Sequence, residues 1–558
     1  MRRLCTLALV LTGIAIVVVR HVLELSGERR TLSTLGLTLF AALMTVVLLF
    51  TVRGRWRAAA RTAATLMLVA GLAIPVLFRV RGLTGDFFPV LEYRFAPKPD
   101  TTLPALPGTR DEAAPPVEQA AEAETDPGVE ATGSAAESLP DSAASDAEAV
   151  PAADTEPAPV RDTPAPAAVA RAGADVSFPQ FLGPGRTGII PDVRIARDWS
   201  TRPPKAIWRI PVGAGWSGFV FDRGLAITQE QRGGDEMVVA YELLTGRPVW
   251  SHRDRVRYES VIAGDGPRAT PTIAGPYVVT LGATGVLNVL EFETGRRVWT
   301  KHIAEDASAP TPEWGRSGSP LVLDGKVIVS AGGPDGQSVV AYDLKTGARV
   351  WAGGTSTAGY AAPTLLTLLG RPQVVVFNSD SLAGHDPQTG ALLWSQPWPK
   401  QAPNVAMPMR VADDLVLAST GYGMGSKLVR LAASGDAIEP SVVWESLRLK
   451  AKFTNPVLHE GFVYGLDDGV LTCIDVETGE RRWKAGRYGH GQTLLAGDVL
   501  LVTTEDGAVV LVEPTPERHQ EIARFTAFDA KMWNPPALAG KYLLLRTDKE
   551  AALFELPQ

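Results

Sequence analysis

The sequence predicts an all-β, eight-bladed β-propeller of four-stranded antiparallel blades, preceded by three transmembrane α-helices and a disordered linker. Three observations predict it. The phrase Thr-Gly-x-x-x-Trp occurs five times, ending at Trp250, Trp299, Trp351, Trp394 and Trp483. A proline recurs in phase with it, at Pro271, Pro320, Pro363, Pro408, Pro456 and Pro535. Three apolar runs fill most of the first 78 residues.

The N-terminal zone, residues 1–96, carries 12 Arg and 4 acidic residues. Its apolar runs at 4–19, 34–52 and 63–78 approach the roughly 20 residues that cross a bilayer core, and arginines flank them where they can snorkel. No small-residue cleavage site follows the first run, as a signal peptide would require. Cys5 stands at the start of that run and not after it, which excludes a lipoprotein pattern. The loop 53–61 holds four Arg, so the positive-inside rule puts it and the N-terminus in the cytoplasm. Three spans then export everything after Val80. The expected location is a bacterial inner membrane with the propeller on the periplasmic side.

Residues 97–175 carry 16 acids against 4 bases and are rich in Ala and Pro. Such a segment buries too little apolar area to offset its ordering entropy, and its like charges repel. It reads as a disordered tether reaching on the order of 50 Å or more. A solvated spacer and an acidic recognition segment have the same composition.

Residues 176–558 hold the repeats. The stretch FVYGLDDGVLTCIDVETGERRW (462–483) reads as a strand, an Asp-Gly turn, an alternating strand, a Thr-Gly turn and a strand ending on Trp. Trp444 ends a similar strand after a longer turn, Phe525 stands in a worn copy, and Trp208 comes early with no strands before it. The series 208, 250, 299, 351, 394, 444, 483, 525 advances by about 40–50 residues, the period of propeller blades. The C-terminal stretch 542–556 supplies inner strands without an outer partner, and the strand around Trp208 would close the ring with it. The recurrent prolines sit where each innermost strand begins, a position that needs no N–H.

The segments leading into those strands crowd round the mouth of the central channel. They offer Trp216, Arg268, Arg316, Tyr360, Asn404, Lys452, His490 and Trp533, with Lys531 nearby. This ring predicts a basic, aromatic-lined funnel suited to an anionic, planar or extended ligand. The bland alternative is that channel mouths are wet and that Trp216 and Trp533 fill space. Other motifs resolve into turns. GYGMGS (421–426) lacks the Lys-Ser/Thr of a phosphate loop, GGPDGQ (332–337) has too few carboxylates for calcium, and YGHGQ (488–492) offers a single His. No catalytic residue and no metal ligand set is assigned, and the charge excludes a nucleic-acid binder.

The Thr-Gly-x-x-x-Trp phrase, together with FPQFLGPGRTG (178–188), resembles the PQQ-binding-like β-propeller repeat family over residues 176–558. That family includes the outer-membrane assembly lipoprotein BamB and the quinoprotein dehydrogenases, so the resemblance implies the fold and leaves the activity open. In many of the dehydrogenases it implies adjacent cysteines, Ca²⁺ held by Glu, Asn and Asp, and a Trp under the quinone. The propeller here has only Cys473, and Asn455 and Asn534 stand at ring positions with no acid in the same segments. Membrane-bound glucose dehydrogenases also place several helices before an exported propeller. The expectation is a non-catalytic binding or scaffolding module in an envelope complex, with a protein partner and no cofactor. The alternative is a PQQ-dependent dehydrogenase, holding PQQ with Ca²⁺, that oxidises an alcohol or sugar.

Overall fold

The computed structural model describes Thr65 and residues 76–86, 89–106, 171–400, 403–435 and 437–558. Apart from Thr65 and residues 76–78, the three apolar runs lie outside the described residues, as do linker residues 107–170. Among the described residues no helix is long and apolar enough to cross a membrane.

Residues 78–93, assigned from sequence to the membrane zone, form a β-hairpin of β1 (Phe78–Leu83) and β2 (Pro89–Tyr93). The first ten residues of the expected tether are held to the propeller. Asp100 pairs with Arg257 at 2.8 Å, its carbonyl accepts from Gly233 N–H, and Lys98 pairs with Glu259 at 2.5 Å. The far end is held too, by Arg171 on Glu293 at 2.8 Å. Charged residues that composition marks as solvated have specific partners here, so the acidic stretch leaves from and returns to one body.

The segment 178–190 then crosses the ring. Phe178 bridges Phe221, Arg186 reaches the carbonyls of Ser319 and Pro320 at 2.9 and 3.1 Å, and β3 (Ile189–Ile190) runs parallel to Gln492–Ala496. It connects to β4 (Lys205–Pro211) and to the first blade, β5 (Val220–Asp222), β6 (Leu225–Arg232), β7 (Asp235–Glu242) and β8 (Pro248–Asp254). Six more antiparallel blades follow over 272–302, 321–353, 364–397, 409–446, 457–487 and 492–526. The eighth contains Ala537–Ala539, Tyr542–Arg546 and Glu550–Glu555, and β4 completes it, with Trp208 opposite Leu553. Eight antiparallel four-stranded blades, the seventh widened by the parallel β3, and the closing strand match the expectation from the repeats. All six phased prolines stand one or two residues before an innermost strand.

The repeated phrase is an inter-blade latch. Its Gly takes a positive φ, +67° at Gly295 and +71° at Gly347, as the hairpin turn requires. A Cβ on Gly295 would stand 2.3 Å from the Trp250 ring of the preceding blade, and one on Gly347 would stand 2.8 Å from Trp299. The same Trp donates its indole N–H to a backbone carbonyl of that next blade, Trp250 to Phe292 at 3.0 Å and Trp299 to Leu344 at 2.9 Å. Trp208, Trp351, Trp444 and Trp483 do likewise. Trp394 differs and bonds Gln373 of its own blade at 2.7 Å, because the following blade carries a longer hairpin, Gly425–Ser434 and Ala437–Ser446, without the Thr-Gly turn. The middle strands, covered on both faces by neighbouring blades, are apolar almost throughout, as in Val499–Thr503 and Ala508–Val512.

Candidate functional site

The tip of the β1–β2 hairpin enters the mouth of the channel. Gly85 N–H donates to Glu505 Oε1 at 2.7 Å, and Gly85 C=O accepts from Lys452 Nζ at 3.1 Å. Asp86 Oδ1 stands 3.2 Å from His490 Nε2, and Leu83 C=O accepts from Lys531 Nζ at 3.1 Å. The fit admits no side chain at Gly85, where a Cβ would lie 1.9 Å from the His490 ring.

Glu505 organises this rim. Its Oε1 also accepts the Trp533 indole N–H at 3.1 Å, and its Oε2 accepts His490 N–H at 3.0 Å. His490 is buried beside the Lys452 ammonium, and desolvation, followed by that positive charge, lowers its pKa. Burial disfavours the charged imidazole because it strips the cation of solvation. Lys531 Nζ lies 3.9 Å from the centre of the Trp533 ring and 4.6 Å from that of Trp216, and the two indoles lie 4.9 Å apart.

Beneath the tip is a cavity of about 150 Å³. Thr84 and Gly85 line it from the mouth, and Phe181 of the crossing segment lines it from the far side. Trp216, Trp314, Tyr360, Tyr422, Phe453 and Trp533 form an aromatic wall. Three polar atoms of lining residues are buried without a hydrogen-bond partner: Arg268 Nη1, Trp216 Nε1 and Gln492 Oε1. Each such atom costs roughly 1–3 kcal/mol if nothing satisfies it. Pockets for small molecules usually run to about 300–1,000 Å³. The space is below that range while the tip is in place.

The eight residues singled out by sequence separate into three sets. Trp216, Arg268, Tyr360 and Trp533 line the cavity. Lys452 and His490 contact the hairpin tip above it. Arg316 and Asn404 are spent on the scaffold: Arg316 donates to Ala331 and Pro310 carbonyls, and Asn404 bridges Asn378 and Thr420. Sequence reasoning missed Glu505, which sits in an Asp-Gly hairpin turn of blade seven, and Trp314, Tyr422 and Phe453. It also missed the occupant, because nothing in TGD (84–86) marks it as a partner for a site some 400 residues away.

Most of the oxygens that could serve a PQQ-bound Ca²⁺ are committed elsewhere. Glu505 receives three N–H donors, and Asn455 Oδ1 accepts Met407 N–H at 2.9 Å. Asn534 donates through its amide nitrogen to the carbonyls of Gly215 and Ser217, which leaves its buried Oδ1 as a single unpartnered acceptor. Among the described residues no three His, Cys, Asp or Glu side chains are grouped to hold a metal ion. Calcium asks for six or more converging oxygens, and this donor set, as arranged, does not fit one. Cys473 is buried, and desolvation pushes its thiol up to about 12, so it is not a nucleophile.

The comparisons agree on the repeat. Residues 234–485 match the family model described as outer membrane protein assembly factor BamB. No curated protein sequence matches the chain. Among solved structures, a quinohemoprotein alcohol dehydrogenase from Comamonas testosteroni is similar at 13% identity and a TM-score of 0.51, covering 69% of this chain and 82% of its own. BamB from Moraxella catarrhalis is similar at 18% identity and a TM-score of 0.43, covering 64% of this chain and 98% of its own. The chain carries a β-propeller, part of which, residues 234–485, is similar to that family. Identities this low speak to fold alone.

Proposed function

We propose that the chain is a membrane-anchored, exported β-propeller that binds without catalysing, as a binding or scaffolding module in an envelope complex. The observation that carries this reading is the state of the rim. Glu505, Lys452 and His490 are the polar groups a ligand would meet, and all three hold the chain's own turn. A catalytic site keeps such groups aimed at the reacting atoms; these are aimed at a peptide. The occupant also indicates ligand chemistry, since Thr84-Gly85-Asp86 is a tight turn that offers a backbone N–H, a carbonyl and a carboxylate. An acidic peptide of a partner protein offers the same groups and would compete for them. The uncommitted Arg268 Nη1 and Trp216 Nε1 donors below suit an acceptor on that peptide or on a small planar anion.

The runner-up, a PQQ-dependent dehydrogenase, draws on the aromatic cavity and on the fold shared with quinohemoproteins. One experiment separates them. Full-length protein in detergent, incubated with PQQ and Ca²⁺, is assayed for dye reduction with alcohols and with glucose. The binding-module reading expects none, and turnover above a protein-free control would overturn it.

A further inference from the structure

The β1–β2 hairpin is built inside out. Side chains alternate across a strand, and the register pairs Arg79 with Glu92, Phe78 with Tyr93 and Val80 with Leu91. One face therefore carries Arg79 and Glu92, joined by an ion pair at 2.8 Å, and Arg81, which pairs with Asp548 of the propeller. That face lies over a polar cleft of about 270 Å³ lined by charged residues of both partners. The opposite face carries Phe78, Val80, Leu91 and Tyr93, and Val80 and Tyr93 are exposed to solvent at 42% and 48%. Phe95 extends this row at 66% exposure, its ring 5.5 Å from Tyr93, which in turn lies 6.1 Å from Phe78.

A hairpin lying on a soluble protein hides its apolar face and shows its charges. This one does the reverse. Its outward face is also continuous in sequence with an apolar run, since the 63–78 stretch ends on Phe78, the first residue of β1. Val76 and Leu77, at the end of that run, are exposed. No spacer separates the run from the hairpin, so a bilayer crossed by that run must begin within a few residues of it. Val261 and Ile262 are exposed on the neighbouring loop, whose Val261 carbonyl approaches Gly82. Exposed aromatic rings flanked by Arg79, Arg94 and Lys98 have the composition of a membrane–water interface.

We infer that the outward face of this hairpin rests on the lipid surface, so that the propeller is held with its channel mouth toward the bilayer. The inference rests on the membrane-anchor reading. It replaces a propeller free on a long tether with one fixed at the membrane by its own plug. A ligand for the channel mouth would then approach along the membrane surface.

Nitroxide labels on full-length protein in lipid nanodiscs test this. Cys473 is buried, so a Cys5→Ser background accepts single labels at Val80→Cys and Phe95→Cys. A third label at Val350→Cys, exposed on an outer strand of blade three, is the reference. The expected result is that molecular oxygen relaxes the labels at 80 and 95 more than a water-soluble nickel chelate does, with the order reversed at 350. Chelate access at 80 and 95 equal to that at 350, in protein that stays with the nanodisc, would overturn the proposal while leaving the anchor intact. Shielding from both reagents would also overturn it, because protein would then cover the face. Failure to co-purify with nanodiscs would remove the anchor reading itself, and this proposal with it.

Discussion

Trp208 stands opposite Leu553 in the eighth blade, joining the strand that enters the ring to the last strand of the chain. Its indole donates to Leu243 C=O of the first blade at 2.8 Å and packs on Gly246. One residue thus closes the sheet within its blade and latches that blade to the next. Trp208→Ala removes both, and large-to-small changes of buried aromatics cost about 3–5 kcal/mol. Trp208→Phe keeps a ring and loses the N–H bond, at about 1 kcal/mol. Guanidinium unfolding should order wild type, W208F and W208A in that sequence, with a single transition for each.

The latch glycines should be intolerant in proportion to what they face. Gly295 and Gly435 both take positive φ, at +67° and +60°. Gly295→Ala would add a methyl against Trp250, whereas nothing lies within 4 Å of a Cβ at Gly435. Gly435→Ala should cost only the left-handed backbone term, about 1–2 kcal/mol. Gly295→Ala should cost clearly more. Equal losses in thermal unfolding would refute the latch.

The hairpin tip can be expelled by one side chain. Gly85→Val cannot fit against His490, so this variant should open the cavity without unfolding the ring. Cleavage within 76–106 by a low dose of protease should become faster, while the Tm of the propeller holds. A fluorescent peptide carrying Leu-Thr-Gly-Asp-Phe should bind the variant and not the wild type, and Lys452→Met should abolish that binding. Equal binding by wild type and variant would contradict a competing internal occupant.

Glu236 gives a pH signature. Burial pushes its carboxyl up to about 8, with only the Ala283 N–H and a distant Arg268 acting against that. The folded state therefore keeps a proton that the unfolded chain releases near the ordinary Glu value of about 4.3. Its contribution to stability is full below that pH and is lost as pH rises toward 8. The loss is on the order of 5 kcal/mol at about 1.36 kcal/mol per unit. Glu236→Gln should flatten the decline in stability between pH 5 and 8, read from urea midpoints. An unchanged slope would mean that the group ionises in the folded protein.

Much of this architecture was readable in one dimension, because it repeats. Trp250, Trp299 and Trp351 recur with their turns since each blade solves the same packing problem, and the early Trp208 and unpaired 542–556 strands disclose the closure. The cavity was half readable for the same reason. Trp216, Arg268, Tyr360 and Trp533 occupy equivalent positions before innermost strands and all reach it. Arg316 and Asn404 occupy those positions too, yet turn into the scaffold, because equivalence fixes the backbone and leaves the rotamer to local hydrogen bonds.

The number of blades, the strand that closes the ring and the ring of segments that meets at the channel mouth were legible in the sequence alone. These follow from short-range periodicity, which each segment carries within its own residues. The tertiary structure alone decided what fills the mouth and which way the hairpin faces. Gly85 meets Glu505 and Lys452, and Arg81 meets Asp548, across separations that leave no periodic trace, since such contacts are specified by shape and charge only once the ring has closed.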